Sequence, residues 1–291
     1  MGKWTLEDIP WDTFDPEKVD PKLVPLVKAA SMVEYNSGDY RTYLKRVFAG
    51  DAKLCHAIDG WAEEEAQHGL ALAEWAKRAD ETFNFEASFK RFTDGFRLPL
   101  EATASVRGSR SGELIARCMV ETGTNSFYTA LADAADEPVL KTICRNIADD
   151  EHAHYHLFHH HLTRHLDAEN LDFRRRMMVA WERIAESEDD ELAYAYYAAN
   201  GNGLPYDRRT FTAAFGSVAM GYYTPDILRR SVQMIFRAVG LNPDGTAGRI
   251  AGRLGWWWVR AQRLRFRAAI FLTKVPPNLG TSAAPGGIER R

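Results

Sequence analysis

The sequence predicts an all-α protein: a four-helix bundle with a C-terminal helical extension. Apolar residues recur at alternating steps of three and four along several segments, the spacing of one buried stripe on a helix. A glutamate followed three residues later by a histidine occurs twice, and a single glutamate precedes each pair by a similar interval. Together these patterns predict two helical hairpins that meet around a cluster of carboxylates and imidazoles.

The elements of the bundle can be placed in chain order. Residues 1–20 contain two prolines, Pro10 and Pro16, and no apolar run, which predicts an extended N-terminal arm. The bundle itself is expected over residues 21–185. Its four main helices are predicted at 21–36, 52–78, 110–134 and 137–166. The connection between the second and third of these helices is long and contains glycines and a proline, as a crossover between hairpins requires.

A further helical lobe is predicted over residues 186–274, after the polar link AESEDDE and interrupted by NGNGLP and LNPDGTAG. The following segment, 275–291, is rich in proline, glycine and small residues, which predicts a disordered tail. The domain organisation expected from the sequence is therefore an arm, a bundle, a C-terminal lobe and a tail.

The last helix of the lobe is amphipathic and basic. One face carries arginines and a tryptophan: Arg249, Arg253, Trp256, Arg260, Arg263 and Arg267. Another face is apolar: Leu254, Trp257, Ala261, Leu264, Ala268 and Phe271. In one interpretation the helix docks an anionic partner, such as a carrier protein, a phospholipid head group or the membrane face. In the other, the arginines form a solvated outer face, and the helix packs on the bundle by its Leu and Phe side.

Composition narrows the class of protein. The chain has 291 residues, 45% of them hydrophobic, and a formal net charge of −3, which argues against a nucleic-acid partner. Cys55, Cys118 and Cys144 form no CxxC pattern and lie at or beside apolar stripes, so they are expected to be reduced core residues of a cytoplasmic protein. No apolar run reaches the ~20 residues that span a bilayer. Peripheral attachment to the inner membrane face is the alternative location.

The first glutamate–histidine pair is Glu65 and His68, within WAEEEAQHG. Both residues share the helical stripe of Ile58, Trp61 and Leu72, so they are expected at core positions. Glu34 precedes Glu65 by 31 residues.

The second pair is Glu151 and His154, and Glu121 precedes Glu151 by 30 residues. An unpaired buried carboxylate costs several kcal/mol, so glutamates on buried stripes need a compensating cation. Four carboxylates and two imidazoles are the ligands of a dinuclear iron or manganese site in a helical bundle. The predicted ligands are Glu34, Glu65, His68, Glu121, Glu151 and His154.

These motifs resemble those of the soluble acyl-ACP desaturases. WAEEEAQHG is similar to their Trp, Glu-Glu, x-x, His-Gly pattern, and IADDEHAH is similar to their second motif, in which an Asp directly precedes the ligand Glu. ETGT is similar to a further family detail, a Thr three residues after the third-helix ligand. The resemblance covers roughly residues 20–166 and extends to the wider ferritin-like superfamily.

The resemblance implies a ferritin-like bundle with two iron ions, or manganese at one or both positions. Glu65 and Glu151 would bridge the metals. Glu34 and His68 would serve one metal, and Glu121 and His154 the other. By the same resemblance two further residues would take part in catalysis. Asp150 would fix a ligand imidazole, and Thr124 would face the oxygen-binding side of the cluster and help to deliver or hold a proton.

The function implied is an O2-dependent oxidoreductase, a desaturase or hydroxylase, acting on a fatty acyl or related lipid substrate. The expected partners are this substrate, free, on an acyl carrier protein or at the membrane surface, an electron donor such as ferredoxin, and a second copy of the chain in a homodimer. The chain departs from the desaturases at His152 and Ala153, where those enzymes place basic residues. The alternative function is that of a ferritin-like ferroxidase, which oxidises Fe(II) without an organic substrate.

Overall fold

The computed structural model of the chain describes residues 4–186, 190–201 and 203–273. Within these ranges the regular elements are α-helices and short 3₁₀ turns, and no strand is formed. The described part of the chain is therefore all-helical, as the sequence predicts. The predicted tail, residues 275–291, lies outside the described residues.

The helices follow one another with short connections, apart from the segment between α4 and α5. They are α1 (Val24–Tyr35), α2 (Ser37–Val47), α3 (Ala52–Ala79), α4 (Phe85–Gly95), α5 (Arg110–Ala134), α6 (Pro138–Glu169), α7 (Phe173–Ala185), α8 (Asp190–Asn200), α9 (Arg208–Ala219), α10 (Pro225–Val239) and α11 (Thr246–Thr273). The four helices predicted for the bundle correspond to α1, α3, α5 and α6, with ends that differ by at most three residues. None of the helices searched in the described residues is long and apolar enough to cross a membrane.

Capping side chains fix where the long helices begin. Asp51 accepts a hydrogen bond from the Leu54 backbone at the start of α3, and Ser109 does the same for Gly112 at the start of α5. Glu137 caps α6, and its second oxygen accepts a 2.7 Å hydrogen bond from the Trp75 indole of α3. The last contact joins the start of α6 to the middle of the bundle.

The four long helices pack around a common interior. Helix α1 packs on α3, α5 packs on α6, and α3 packs on α6. Gly69 allows the close approach of α1 and α3, because a Cβ there would lie 2.6 Å from the Tyr35 backbone nitrogen and 2.8 Å from the Ser31 carbonyl oxygen. This contact brings the C-terminal end of α1 beside the middle of α3.

The C-terminal helices pack directly on the long helices. Helix α8 lies against α1 and α4, and α10 lies against α5 and α7. Tyr196 of α8 and Phe211 of α9 belong to the same apolar cluster as Trp75 of α3 and Ile147 of α6. The region predicted as a lobe therefore shares its core with the helices of the predicted bundle.

The N-terminal segment also packs on the long helices. It forms 3₁₀ turns at Leu6–Asp8, Trp11–Thr13 and Pro16–Lys18, where the sequence predicts an extended arm. Trp4 and Ile9 are buried in the core cluster that includes α1 and α3. These two apolar side chains explain why the segment lies against the helices.

Helix α11 packs by a face that its apolar pattern did not indicate. Gly252, Val259 and Phe266 face the protein, whereas Leu254 and Trp257, on the side expected to pack on the bundle, are more than 60% exposed. The interpretation in which the Leu and Phe side packs inward is therefore wrong. The physical reason is that the partners of this face come from other helices: Phe266 lies over Gly216 of α9, and Val259 packs with Ile227 and Leu228 of α10.

Candidate metal centre

The structure brings all six predicted ligand residues into one buried cluster. Two overlapping groups of side chains could each hold a metal ion, because within each group the ligand atoms lie within 4.8 Å of one another. The first group is Glu34, Glu65, His68 and Glu151, and the second is Glu65, Glu121, Glu151 and His154. Glu65 and Glu151 belong to both groups, so any two ions held there would share these carboxylates.

Each of the four long helices contributes to the cluster. Glu34 lies near the end of α1 and Glu121 in the middle of α5, while α3 and α6 each provide a Glu and a His three residues apart. This spacing puts both side chains of a pair on the same helix face. All six side chains are buried, with at most 6% of their surface exposed.

The two imidazoles point the same ring atom into the cluster. His68 Nδ1 lies 3.3 Å from Glu151 Oε1 and 3.7 Å from Glu65 Oε2. His154 Nδ1 lies 3.2 Å from Glu65 Oε1 and 3.9 Å from Glu121 Oε2. Each Nδ1 therefore faces several carboxylate oxygens at once, as ligands do around a shared ion.

Several of these buried atoms have no hydrogen-bond partner among the described residues. They are His68 Nδ1, His154 Nδ1, Glu151 Oε1 and both carboxylate oxygens of Glu121. A buried polar atom without a partner costs ~1–3 kcal/mol, more if it is charged. The unpartnered atoms are all carboxylate oxygens or imidazole nitrogens directed into one volume, which fits the requirements of a bound cation.

The opposite nitrogen of each imidazole is held by a carboxylate. His68 Nε2 lies 3.1 Å from Asp150 Oδ2, and His154 Nε2 lies 2.8 Å from Glu64 Oε2. When a histidine binds a metal through one nitrogen, the other N–H usually donates to a carboxylate, which fixes the tautomer and the ring plane. The structure places Asp150, predicted to fix a ligand imidazole, beside the histidine of the other hairpin.

Glu64 is a residue of the site that the sequence reasoning missed. Its signal was present, because Glu64 directly precedes Glu65 just as Asp150 directly precedes Glu151.

Trp4 is a second residue of the site that the sequence reasoning missed. Its indole N–H donates a 2.7 Å hydrogen bond to Asp150 Oδ2, and its ring stacks on His68 with 5.9 Å between centroids. No local pattern indicates this contact, because Trp4 is far from both partners along the chain.

Hydroxyl groups hold two of the carboxylates. Thr124 Oγ1 lies 2.5 Å from Glu151 Oε2, and it also lies 3.2 Å from the Val120 carbonyl oxygen within its own helix. The Tyr128 hydroxyl donates a 2.5 Å hydrogen bond to Glu34 Oε1. The structure thus places Thr124 in contact with a predicted bridging carboxylate.

A buried arginine accompanies the second group of side chains. Arg117 is 5% exposed, and its Nη2 lies 3.9 Å from Glu121 Oε1. Its guanidinium also lies over the rings of Tyr40, at 5.0 Å, and Trp61, at 5.4 Å. Burial disfavours the charged form, but Glu121 together with Tyr40, Glu113 and Glu65 outweighs it and raises the pKa of Arg117. This single positive charge offsets only part of the negative charge of the four glutamates.

Close packing of the buried carboxylates raises the pKa values of two of them. Burial, together with repulsion from Glu65, raises the pKa of Glu34 well above its usual range. Burial and repulsion from Glu151 do the same to the pKa of Glu121. Burial opposes protonation of His154, but Glu64 and Glu65 outweigh it and raise the pKa of His154 to about 10. Without a cation, the cluster therefore retains protons that a metal ion would replace.

No protein-family model matches the chain, and no curated protein sequence matches it. The likeness to the desaturases therefore rests on the motifs quoted above, and the case for a metal site rests on the geometry of the cluster.

Proposed function

We propose that the protein is an O2-dependent oxidoreductase that uses two iron ions to act on a fatty acyl or related lipid substrate. The observation that carries this proposal is that Glu65 and Glu151 belong to both groups of potential ligands. Four buried carboxylates also balance the charge of two divalent cations. Helices α1, α3, α5 and α6 would form a ferritin-like four-helix bundle around the pair. Manganese at one or both positions would satisfy the same ligands.

In this proposal Glu34 and His68 would hold one ion, Glu121 and His154 would hold the other, and Glu65 and Glu151 would be shared by both. Two iron ions bridged by carboxylates supply the oxygen activation needed to attack an unactivated C–H bond. The contacts of Asp150 and Glu64 hold the imidazoles in the ligand orientation. The Thr124 hydroxyl, which contacts Glu151, would hold or transfer a proton during turnover.

An apolar groove supports a lipid substrate. The groove has a volume of about 660 Å³, within the ~300–1,000 Å³ range of small-molecule sites. Its apolar walls come from the N-terminal segment, α1, α3 and α4: Leu6, Trp11, Tyr35, Leu70, Phe85 and Phe89. Tyr35 directly follows Glu34 in α1, so the groove reaches the helix that carries one of the predicted ligands. Lys77 and Lys90 also line the groove, where Lys77 pairs with Glu86 at 3.0 Å and Lys90 pairs with Asp94 at 2.6 Å.

The two candidate reactions differ in what leaves the substrate. Desaturation would remove one hydrogen from each of two neighbouring carbons and reduce O2 to two waters, with two electrons delivered singly by a donor such as ferredoxin and two protons from solvent. Hydroxylation would place one oxygen atom in a C–H bond and release the other as water, with the same electron input. A ferroxidase would consume only Fe(II) and O2.

The test is oxygen consumption by the iron-loaded protein with reductant, with and without fatty acyl substrates. We expect substrate-dependent consumption and a product that has lost two hydrogens or gained one oxygen, measured by mass spectrometry. Thr124→Val should retain iron but release more peroxide per product than Thr129→Val, a control on the same helix. Consumption that responds only to added Fe(II) would favour the ferroxidase instead.

A further inference from the structure

Helix α11 presents three different faces along its length. One face packs against α9 and α10 through Gly252, Val259 and Phe266. A Cβ at Gly252 would lie 3.6 Å from the Arg229 Cα of α10, an ordinary van der Waals distance, and a Cβ at Gly216 of α9 would lie 2.4 Å from the Phe266 ring. The remaining two faces are directed away from the packing face.

The second face is an apolar stripe that is exposed on the protein surface. It consists of Ile250, Leu254, Trp257, Trp258, Leu264 and Phe271. The exposed fraction of these side chains runs from 45% for Trp258 to 86% for Phe271. At ~1.5 Å per residue the stripe is about 32 Å long. Single exposed apolar residues are ordinary, but a continuous stripe of this length marks an interaction surface.

The third face is positively charged. Helix α11 contains six arginines and no acidic residue. From the helical period of ~3.6 residues, five arginines lie beside one edge of the apolar stripe and Arg265 lies beside the other. The five are Arg249, Arg253, Arg260, Arg263 and Arg267. The Arg260 guanidinium lies 5.3 Å from the centre of the Trp257 ring, so the two faces meet through a cation–π contact.

We infer that α11 docks the protein on an anionic membrane surface. Arginines flanking a stripe of Trp, Leu and Phe are the pattern of helices that lie in the plane of the membrane interface. The apolar stripe would enter the boundary between head groups and acyl chains. The arginines would contact lipid phosphates, which their planar guanidinium groups bind through paired hydrogen bonds. This surface is independent of the metal cluster and of the reaction proposed there.

The shape of the surface favours a membrane over an acidic protein. The stripe is a ridge on one straight helix, and a protein partner would have to provide a matching groove. A bilayer accommodates a ridge without a complementary shape. An acidic carrier protein and a second copy of this chain are nevertheless the other occupants that the experiment distinguishes.

The experiment is sedimentation of the full chain with vesicles of phosphatidylglycerol mixed with phosphatidylcholine, compared with phosphatidylcholine alone. We expect binding to the anionic vesicles only, with a steep loss between ~0.05 and ~0.3 M salt. Arg260→Glu with Arg267→Glu should weaken binding by at least about tenfold, because each basic residue near an anionic surface contributes roughly fivefold. Leu254→Ser with Leu264→Ser should also weaken binding, and because this variant keeps all six arginines of α11, its remaining binding should stay as dependent on salt as that of the parent.

Two matched controls isolate the contribution of α11. Arg41→Glu with Lys53→Glu makes the same change of charge at exposed positions of α2 and α3, and Val106→Ser makes an apolar-to-polar change in the loop before α5. Both controls should bind as the parent does, and every variant should keep its helical circular dichroism and its metal content.

Equal binding to neutral vesicles, or unchanged binding by both α11 variants, would overturn the inference. So would binding of an acidic carrier protein without vesicle binding, or a dimer that the serine variants convert to a monomer.

Discussion

At the scale of single residues, the carboxylates that contact the Nε2 atoms of the two ligand histidines determine how well the imidazoles are oriented toward the metal site. Replacing Asp150 or Glu64 by Ala removes the acceptor that orients His68 or His154. We expect each replacement to weaken Fe(II) or Mn(II) binding by ~10–100-fold without unfolding the protein. Glu63→Ala is the matched control, since Glu63 is exposed and directly precedes Glu64. A metal titration in which all three variants behave alike would show that these contacts do not support the ligands.

The protonation of the cluster gives a second residue-scale prediction. The raised pKa values of Glu34 and Glu121 and the pKa of about 10 for His154 favour the protonated forms of these groups when no metal is bound. Metal ions bind the deprotonated forms, so binding must release protons and the affinity must rise with pH. Calorimetric titrations in buffers of different ionisation enthalpy measure this release. A binding heat independent of the buffer would contradict it.

The ligand residues could be predicted from the sequence because each Glu–His pair lies within one helical turn. The residues around the ligands could not be predicted in the same way. Glu64 had a local signal, the repeated acidic residue before each ligand glutamate, and Arg117 had one in its position four residues before Glu121 on α5, whereas Trp4 reaches the site only through tertiary packing. Residues that contact ligands from distant segments leave no spacing pattern in the chain.

At the scale of helices, the contact at Gly69 positions α1 against α3. A methyl group at residue 69 would lie 2.6 Å from the Tyr35 backbone nitrogen and would force α1 away from the cluster. We expect Gly69→Ala to cost ~1–3 kcal/mol of unfolding free energy and to weaken metal binding through displacement of Glu34. Gly60→Ala is the control, because a Cβ there has no atom within 4 Å and alanine favours the helix.

Denaturant unfolding and a metal titration measure the two effects separately. If Gly69→Ala matched Gly60→Ala in both measurements, the close approach of α1 and α3 would not position Glu34.

The long helices were predicted accurately because their apolar stripes extend over many turns. Helix α2 and helix α4 are only 11 residues each, and their short patterns merge with the connections around them. The break at 220–224 between α9 and α10 was missed because three of its five residues, Met220, Tyr222 and Tyr223, are hydrophobic. The packing face of α11 was predicted wrongly because its partners, such as Gly216 of α9 beneath Phe266, lie on other helices.

At the scale of the whole molecule, the metal cluster concentrates negative charge inside a shared apolar core. Removing the ions would leave four buried glutamates compensated by Arg117 and by protons, which the raised pKa values of Glu34, Glu121 and His154 favour. We expect the metal-free protein to unfold at lower temperature, and saturating metal at ~100 times its Kd to add about 2.7 kcal/mol of unfolding free energy. Differential scanning calorimetry with and without metal measures the change, and Glu121→Ala should reduce it. An unfolding temperature that does not respond to metal would contradict this expectation.

The measurement that tests the central claim most directly is the number of metal ions per chain after anaerobic loading with Fe(II). We predict two iron ions per chain in the parent protein. Glu65→Ala and Glu151→Ala should each lose both ions, because these carboxylates belong to both groups of ligands. Glu63→Ala should retain both. A single ion in the parent, or two ions in a Glu65→Ala, Glu151→Ala double variant, would contradict the shared two-metal site.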